Sequence, residues 1–191
     1  MAVVEELKIA GIRALADLGG SYLEISGTIV MRQARRLSDY ANHPDPMLEL
    51  DSAELRFHLP GGPEMWEQVE GLSLNRDRVL LVIPVEESDP GHNPEMHVRG
   101  RSVRVKIICR GLQLTGFVRV PVTATIASFI HESRNRFLSV SQARIIHNDV
   151  GTALGDFEGM HPFCLVNRSY VVACIETRTR EAPAAATPEL S

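Results

Sequence analysis

The sequence predicts a mainly β fold of the α+β type: two tandem copies of a small β-barrel or half-sandwich, each with one short helix. Three observations lead there. Apolar and polar residues alternate with period two over much of the chain, the pattern of half-buried strands. Helical spacing is confined to short stretches. Three blocks of the first half recur in the same order in the second. YLEISGTIV (22–30) matches GLQLTGFVR (111–119), setting Leu23 against Leu112 and Gly27 against Gly116 at an offset of 89. MLELDSAEL (47–55) matches FLSVSQARI (137–145), pairing Leu48 with Leu138 and Ala53 with Ala143 at an offset of 90. LSLNRDRVLLVI (72–83) matches CLVNRSYVVACI (164–175) at an offset of 92, pairing Asn75-Arg76 with Asn167-Arg168, Val79 with Val171 and Ile83 with Ile175. Constant order, with drift confined between blocks, marks an internal duplication.

The elements follow in order. In residues 1–20, Val4, Leu7, Ile12, Leu15 and Leu18 approximate a helical face that Gly19-Gly20 would end, so a helix is expected. A strand, as in VRVKIIC of the second copy, is the competing expectation. Repeat 1 spans 21–86. Its helix lies in RRLSDYANH, with Leu37, Tyr40 and Ala41 on one face and Pro44 and Pro46 beyond it. Residues 87–101 form a polar, turn-rich linker. Repeat 2 spans 102–180, and its helix places Ile126, Phe129 and Ile130 at the same spacing. Each repeat ends on two apolar runs around an Asn-Arg pair. That reads as a hairpin, because Asn suits tight turns. The ending EAPAAATPELS (181–191) has too few apolar side chains to fold and is expected to be a disordered tail.

Composition bounds the function. Of 191 residues, 44% are hydrophobic and 23% charged, enough for a sizeable core and against disorder as the dominant state. No apolar run approaches the ~18–20 residues of a membrane helix, and the first residues lack the basic start of a secretory signal. The expected location is the cytoplasm, with no membrane partner. Cys109, Cys164 and Cys174 are odd in number and sit in apolar strand patterns, so buried thiols rather than disulfides are expected. The net charge of -4 divides unevenly. Residues 21–86 hold 6 Lys/Arg and 11 Asp/Glu, a net of -5, and residues 102–180 hold 10 and 5, a net of +5. Opposite charge on the two copies suits copy-to-copy attraction or head-to-tail association between chains.

The search for chemistry is negative. No phosphate-binding glycine loop, nucleophile elbow or H-E-x-x-H occurs. His92, Glu95 and His97 share the linker but supply no tetrahedral ligand set. Asp149, Asp156 and Glu158 lack the spacing of a calcium loop. No catalytic residue, metal site or cofactor is therefore expected, and the protein is not expected to be an enzyme. The candidate partner or ligand contacts are Asn75, Arg76, Asn167, Arg168, Arg35, Arg36 and Trp66. The two Asn-Arg pairs are either a contact displayed twice at hairpin tips or plain turn chemistry, and turn chemistry is the stronger reading. Arg35 and Arg36 belong to a small basic cluster ahead of the first helix, where pairing with acids such as Asp39 competes with a binding role. Trp66, the only tryptophan, is expected to pack down on its own repeat, with a partner contact as the alternative.

Two resemblances accompany these residues. R-L-S-D-Y-A-N (36–42), M-L-E-L-D-S-A (47–53) and L-N-R-D-R-V (74–79) resemble a bacterial domain family of uncharacterised activity, with an Arg-Leu-Ser-Asp helix start and an Asn-Arg hairpin. V-R-V-K (103–106), L-Q-L-T-G (112–116), F-L-S-V (137–140) and V-N-R-S-Y-V-V (166–172) resemble Sm-like small β-barrels in strand order. Here a helix replaces that family's tight loop, and its Arg-Gly pair is missing. The leading functional expectation is a non-catalytic adaptor or scaffold that binds a protein partner or itself, as a homo-oligomer. The alternatives are an RNA-binding Sm-like module, disfavoured by the acidic chain with few aromatics, and a small-ligand sensor binding between the repeats.

Overall fold

The computed structural model describes residues 8–31, 36–59, 63–85, 100–147, 154 and 157–177. The fold is mainly β with two short helices, as expected. The first half runs β1 (Lys8–Asp17), β2 (Tyr22–Met31), α1 (Leu37–Ala41), β3 (Met47–Leu50), β4 (Ser52–His58), β5 (Met65–Val69), β6 (Leu72–Asn75), a 3-10 turn at Arg76–Arg78, and β7 (Val79–Pro84). The second half runs β8 (Gly100–Cys109), β9 (Leu112–Pro121), α2 (Ile126–Glu132), β10 (Phe137–His147), β11 (Gly159–Asn167), a 3-10 turn at Arg168–Tyr170, and β12 (Val171–Glu176). Both 72–83 and 164–175 are thus strand, 3-10 turn, strand, but neither is the expected hairpin: β6 pairs with β3 and β7 with β1 and β11, while β11 pairs with β10 and β7 and β12 with β8. The expected linker and tail fall largely on 86–99 and 178–191, outside the described residues, but Gly100 and Arg101 already belong to β8.

Ten strands form one antiparallel sheet in the order β12-β8-β9-β10-β11-β7-β1-β2-β4-β5, and β3 pairs separately with β6. The sheet is not closed into a barrel. Within each half the strands hydrogen-bond in the same way. β1 lies between β7 and β2, as β8 lies between β12 and β9. Small irregularities recur too. β7 carries one extra residue, Leu80, between Leu81 opposite Leu15 and Val79 opposite Ala16. β12 carries Val172 in the same place, between Ala173 opposite Ile108 and Val171 opposite Cys109.

The glycine shared by both halves has a steric reason. Gly27 faces Ile12 on one side and Ala53 on the other, and Gly116 faces Val105. A Cβ on Gly27 would lie 2.4 Å from the Ser52 carbonyl oxygen, and one on Gly116 would lie 2.6 Å from Val140 Cγ1 and 2.9 Å from the Ser141 carbonyl oxygen. At both positions the neighbouring strand lies too close for a Cβ, which only glycine allows. Between Ser141 and Ala143 sits one residue, Gln142, with φ 48, where the first half runs straight from Ser52 to Ala53. This bulge shifts the register of β10 against β9 but leaves the sequence offset unchanged, since Leu48 and Leu138 before it and Ala53 and Ala143 after it are both 90 apart.

Residues 8–17 correct the expected helix over 1–20: they form β1, paired along both edges with β2 and β7. Ala10, Ile12, Ala14 and Ala16 are all buried, a period of two carried mostly by alanine. Of the described side chains that suggested helix, Ile12 and Leu15 are core residues and Leu18 is exposed. Two-sided sheet pairing overrides weak local propensity.

The cores of the halves interlock. Leu15, Tyr22, Leu80, Leu81 and Ile83 pack among the buried residues of the second half, with Leu154 and Phe157. Phe137 and Leu165 pack among those of the first half.

Candidate functional site

The candidate site is the junction between the halves, together with the two surfaces that correspond to it, on β12 at one end of the large sheet and on β6 of the two-stranded sheet. At the junction β11 pairs with β7, Leu165 opposite Val82 and Val166 opposite Leu81. Asn167, fully buried, closes it. Its Oδ1 accepts from Ser169 N at 3.0 Å, capping the 3-10 turn. Its Nδ2 donates across the junction to the carbonyls of Arg76 at 3.1 Å and Val79 at 2.7 Å. From the other side, Asn42 just after α1 clamps the Phe137 backbone. Phe137 N donates to Asn42 Oδ1 at 2.7 Å, and Asn42 Nδ2 donates to the Phe137 carbonyl at 3.2 Å. Arg136 Nε meets Asp77 Oδ1 at 2.9 Å. Farther along, Arg110 pairs with buried Asp17 at 3.1 Å, and Tyr22 Oη donates to the Arg110 carbonyl at 3.0 Å.

The two arginines of the Asn-Arg pairs point inward. Arg76 is buried, with its backbone N donating to the Pro46 carbonyl at 2.9 Å and its Nη1 to the Asp45 carbonyl. Its guanidinium carbon lies 5.3 Å from the centre of the Tyr40 ring, and burial lowers its pKa from the ordinary arginine value. Arg168 repeats the arrangement. Its backbone N donates to the Arg136 carbonyl at 2.8 Å, and its Nη1 to the carbonyls of Ile130, at 3.1 Å, and Ser133. Each arginine satisfies carbonyls at or just beyond the end of its own helix. Neither sits at a hairpin tip: each arginine binds backbone carbonyls of its own half, and Asn75 and Asn167, at φ -65 and -69, cap their turns through the side chain rather than by a left-handed backbone.

Asn75 differs from Asn167. Its Oδ1 caps its turn in the same way, accepting from Asp77 N at 2.9 Å, but the residue is exposed. Trp66 does not pack down as expected. It is 73% exposed beside exposed Met65, because β5 is the last strand of the sheet. Arg36 is half-buried at the start of α1, where its carbonyl accepts from Asp39 N and Tyr40 N. Arg35 lies outside the described residues, as do His92, Glu95, His97, Asp149 and Asp156.

Residues in corresponding places divide by partner. Leu80 in β7 is 0% exposed and Val172 in β12 is 75% exposed; Ile83 and Ile175 stand at 4% and 48%. Leu165 in β11 is buried, and Ser73 in β6 is exposed. Among the described residues, one surface type is therefore covered at the junction and open on β12 and on β6. The open β6 end lies beside Asp45 and Glu49, which accepts from Ser73 Oγ at 2.7 Å. The open β12 end carries Arg101, in contact with Glu176 at 3.4 Å.

Other chemistry is sparse. Among the described residues, no three His, Cys, Asp or Glu side chains gather as a metal site, and no helix is long and apolar enough to cross a membrane. A narrow cleft lined by Arg13, Glu24, Ser26, Glu54, Arg56 and Phe157 has room for about one water. Cys109 and Cys164 are buried and Cys174 is half-buried. Burial pushes the Cys109 thiol up to about 12 and Cys174 to about 11, and raises Cys164 as well. Such thiols are poor nucleophiles. Sequence reasoning missed Asn42 and the cross-junction role of Asn167. The Asn-Arg repetition was the available signal, but its turn role alone explained it. Comparison of the chain with known protein families, with curated proteins and with solved structures finds no match.

Proposed function

We propose that this protein is a non-catalytic scaffold that works by protein association through two open strand edges, β12 at one end of the large sheet and β6 of the small one. One observation carries the reading. Among the described residues, the strand surface that is buried where the halves meet is repeated and exposed twice, apolar on β12 through Val172 and Ile175 and polar on β6 through Ser73 and Asn75. Unpaired strands with exposed apolar side chains are ready acceptors for another strand. Val172 is the bulged second residue of β12, in a run, VVACI, that carries no charge. The inward arginines and the high thiol pKa values support a structural use of residues that might otherwise serve as ligand contacts or nucleophiles.

The test is sedimentation of the full, untagged chain at low salt, with its ultraviolet absorbance ratio recorded. Species heavier than the monomer, or a co-purifying protein, without nucleic-acid absorbance are expected. A bare monomer at tens of micromolar overturns the proposal. Assembly that requires bound nucleic acid overturns it in favour of an RNA-binding module.

A further inference from the structure

We infer that the occupant of both open edges is a second copy of this chain, bound head to tail, with β12 of one molecule paired antiparallel to β6 of the next. The inference rests on the scaffold reading and names its partner. Its template is inside the molecule: β7 pairing on β11. Through the matched blocks, β6 corresponds to the end of β11 and β12 to β7. Leu165 opposite Val82 becomes Ser73 opposite Cys174 of the neighbour, and Val166 opposite Leu81 becomes Leu74 opposite Ala173 of the neighbour.

The side chains agree with this docking. Val172 and Ile175 are the exposed counterparts of Leu80 and Ile83, which the internal junction buries. Asn75 is the exposed counterpart of Asn167, and it already holds the same conformation through the Asp77 N bond. In the docked position its Nδ2 donates to the carbonyls of Arg168 and Val171 of the neighbour, as Asn167 donates to those of Arg76 and Val79. Charge agrees as well, since each contact sets the half of net -5 against the half of net +5. A two-fold dimer made by β12 against β12 would instead face two basic halves and leave β6 unpaired. Because the two ends differ, every added copy presents a fresh β12 and a fresh β6. Growth therefore passes beyond the dimer, to a ring where the rotation closes and a filament where it does not.

Ser73→Cys provides the test. Residues opposite one another in an antiparallel pair sit within disulfide reach, so the new thiol meets the native Cys174 of the neighbour. After oxidation, a non-reducing gel is expected to show a ladder of three or more chains, absent from the double variant Ser73→Cys/Cys174→Ser. A product that stops at two chains, or no cross-link in a chain that sediments as an assembly, overturns the head-to-tail contact and leaves the scaffold reading standing. A monomer overturns both. Asn75→Asp supplies an independent readout: it keeps the capping oxygen and removes the donor. It is expected to weaken assembly about tenfold with the unfolding temperature unchanged. Assembly as tight as that of the parent chain overturns the proposed clamp.

Discussion

The Asn167 side chain holds the Val79 carbonyl at 2.7 Å while its own oxygen caps the turn that follows β11. One amide thus ends a strand and joins the two halves of the molecule. Asn75 makes the same cap and is exposed. Asn167→Ala should therefore cost about 2–4 kcal/mol, because it removes a cap and two buried cross-junction hydrogen bonds. Asn75→Ala should cost about 1 kcal/mol, the cap alone. Urea unfolding of the two variants at protein concentrations where the chain is monomeric checks the difference. Equal losses would mean that the cross-junction bonds add nothing.

The interlocked cores bear on whether the halves can be separated. Leu15, Leu80, Leu81 and Ile83 complete the second half's core, and Phe137 and Leu165 complete the first. Chains of residues 1–90 and 101–191, expressed separately, should be insoluble or unfold without cooperativity. Two soluble fragments with sharp thermal transitions would show that each half is its own domain.

Gly27→Ala and Gly116→Ala should each destabilise by about 1–3 kcal/mol, the usual range for overpacking, because the added methyl meets backbone or a branched core side chain. Gly71→Ala, where a Cβ meets nothing within 4 Å, is the control and should stay within about 0.5 kcal/mol of the parent. Thermal unfolding distinguishes them, and a neutral Gly27→Ala would show that β2 and β4 are not so closely packed.

Stability should fall at alkaline pH. The thiols of Cys109 and Cys174 are pushed up to about 12 and about 11, while in the unfolded chain a cysteine ionises near about 8.5. Between those values the unfolded chain binds fewer protons than the folded one, so the unfolding free energy decreases as pH rises. The contribution is fully present below about pH 8.5 and is lost as pH climbs through the folded values. Denaturant midpoints at neutral pH and near about pH 10.5 should differ in that direction, and by less in Cys109→Ala. A midpoint independent of pH over that window would count against the buried thiols.

The same burial sets the order of thiol labelling. Cys174 is half-buried and should react first, with Cys109 and Cys164 following only on unfolding. Mass spectrometry of partly labelled native protein reads the order, and modification of Cys164 ahead of Cys174 would contradict it.

The mainly β character was legible in the sequence, because alternation in stretches such as SVRVKIIC and FLSVSQARI is a local property of the pleat. The turns after Asn75 and Asn167 were legible for the same reason, each being decided within a few residues, but the hairpins expected around them were not formed, because the strands on either side pair elsewhere. β1 was not legible, since KIAGIRALAD spends its buried positions on alanine and becomes a strand only through β2 and β7 on either side. Nor was the exposure of Trp66, which follows from the place of β5 at the end of the strand order. The separation of Asn167 from Asn75 is the clearest case. The two sit in nearly identical local sequence, and only the pairing of β11 with a strand from the other half buries one of them. Local pattern chooses the elements; which edges meet depends on contacts between residues about ninety positions apart, and no local pattern encodes them.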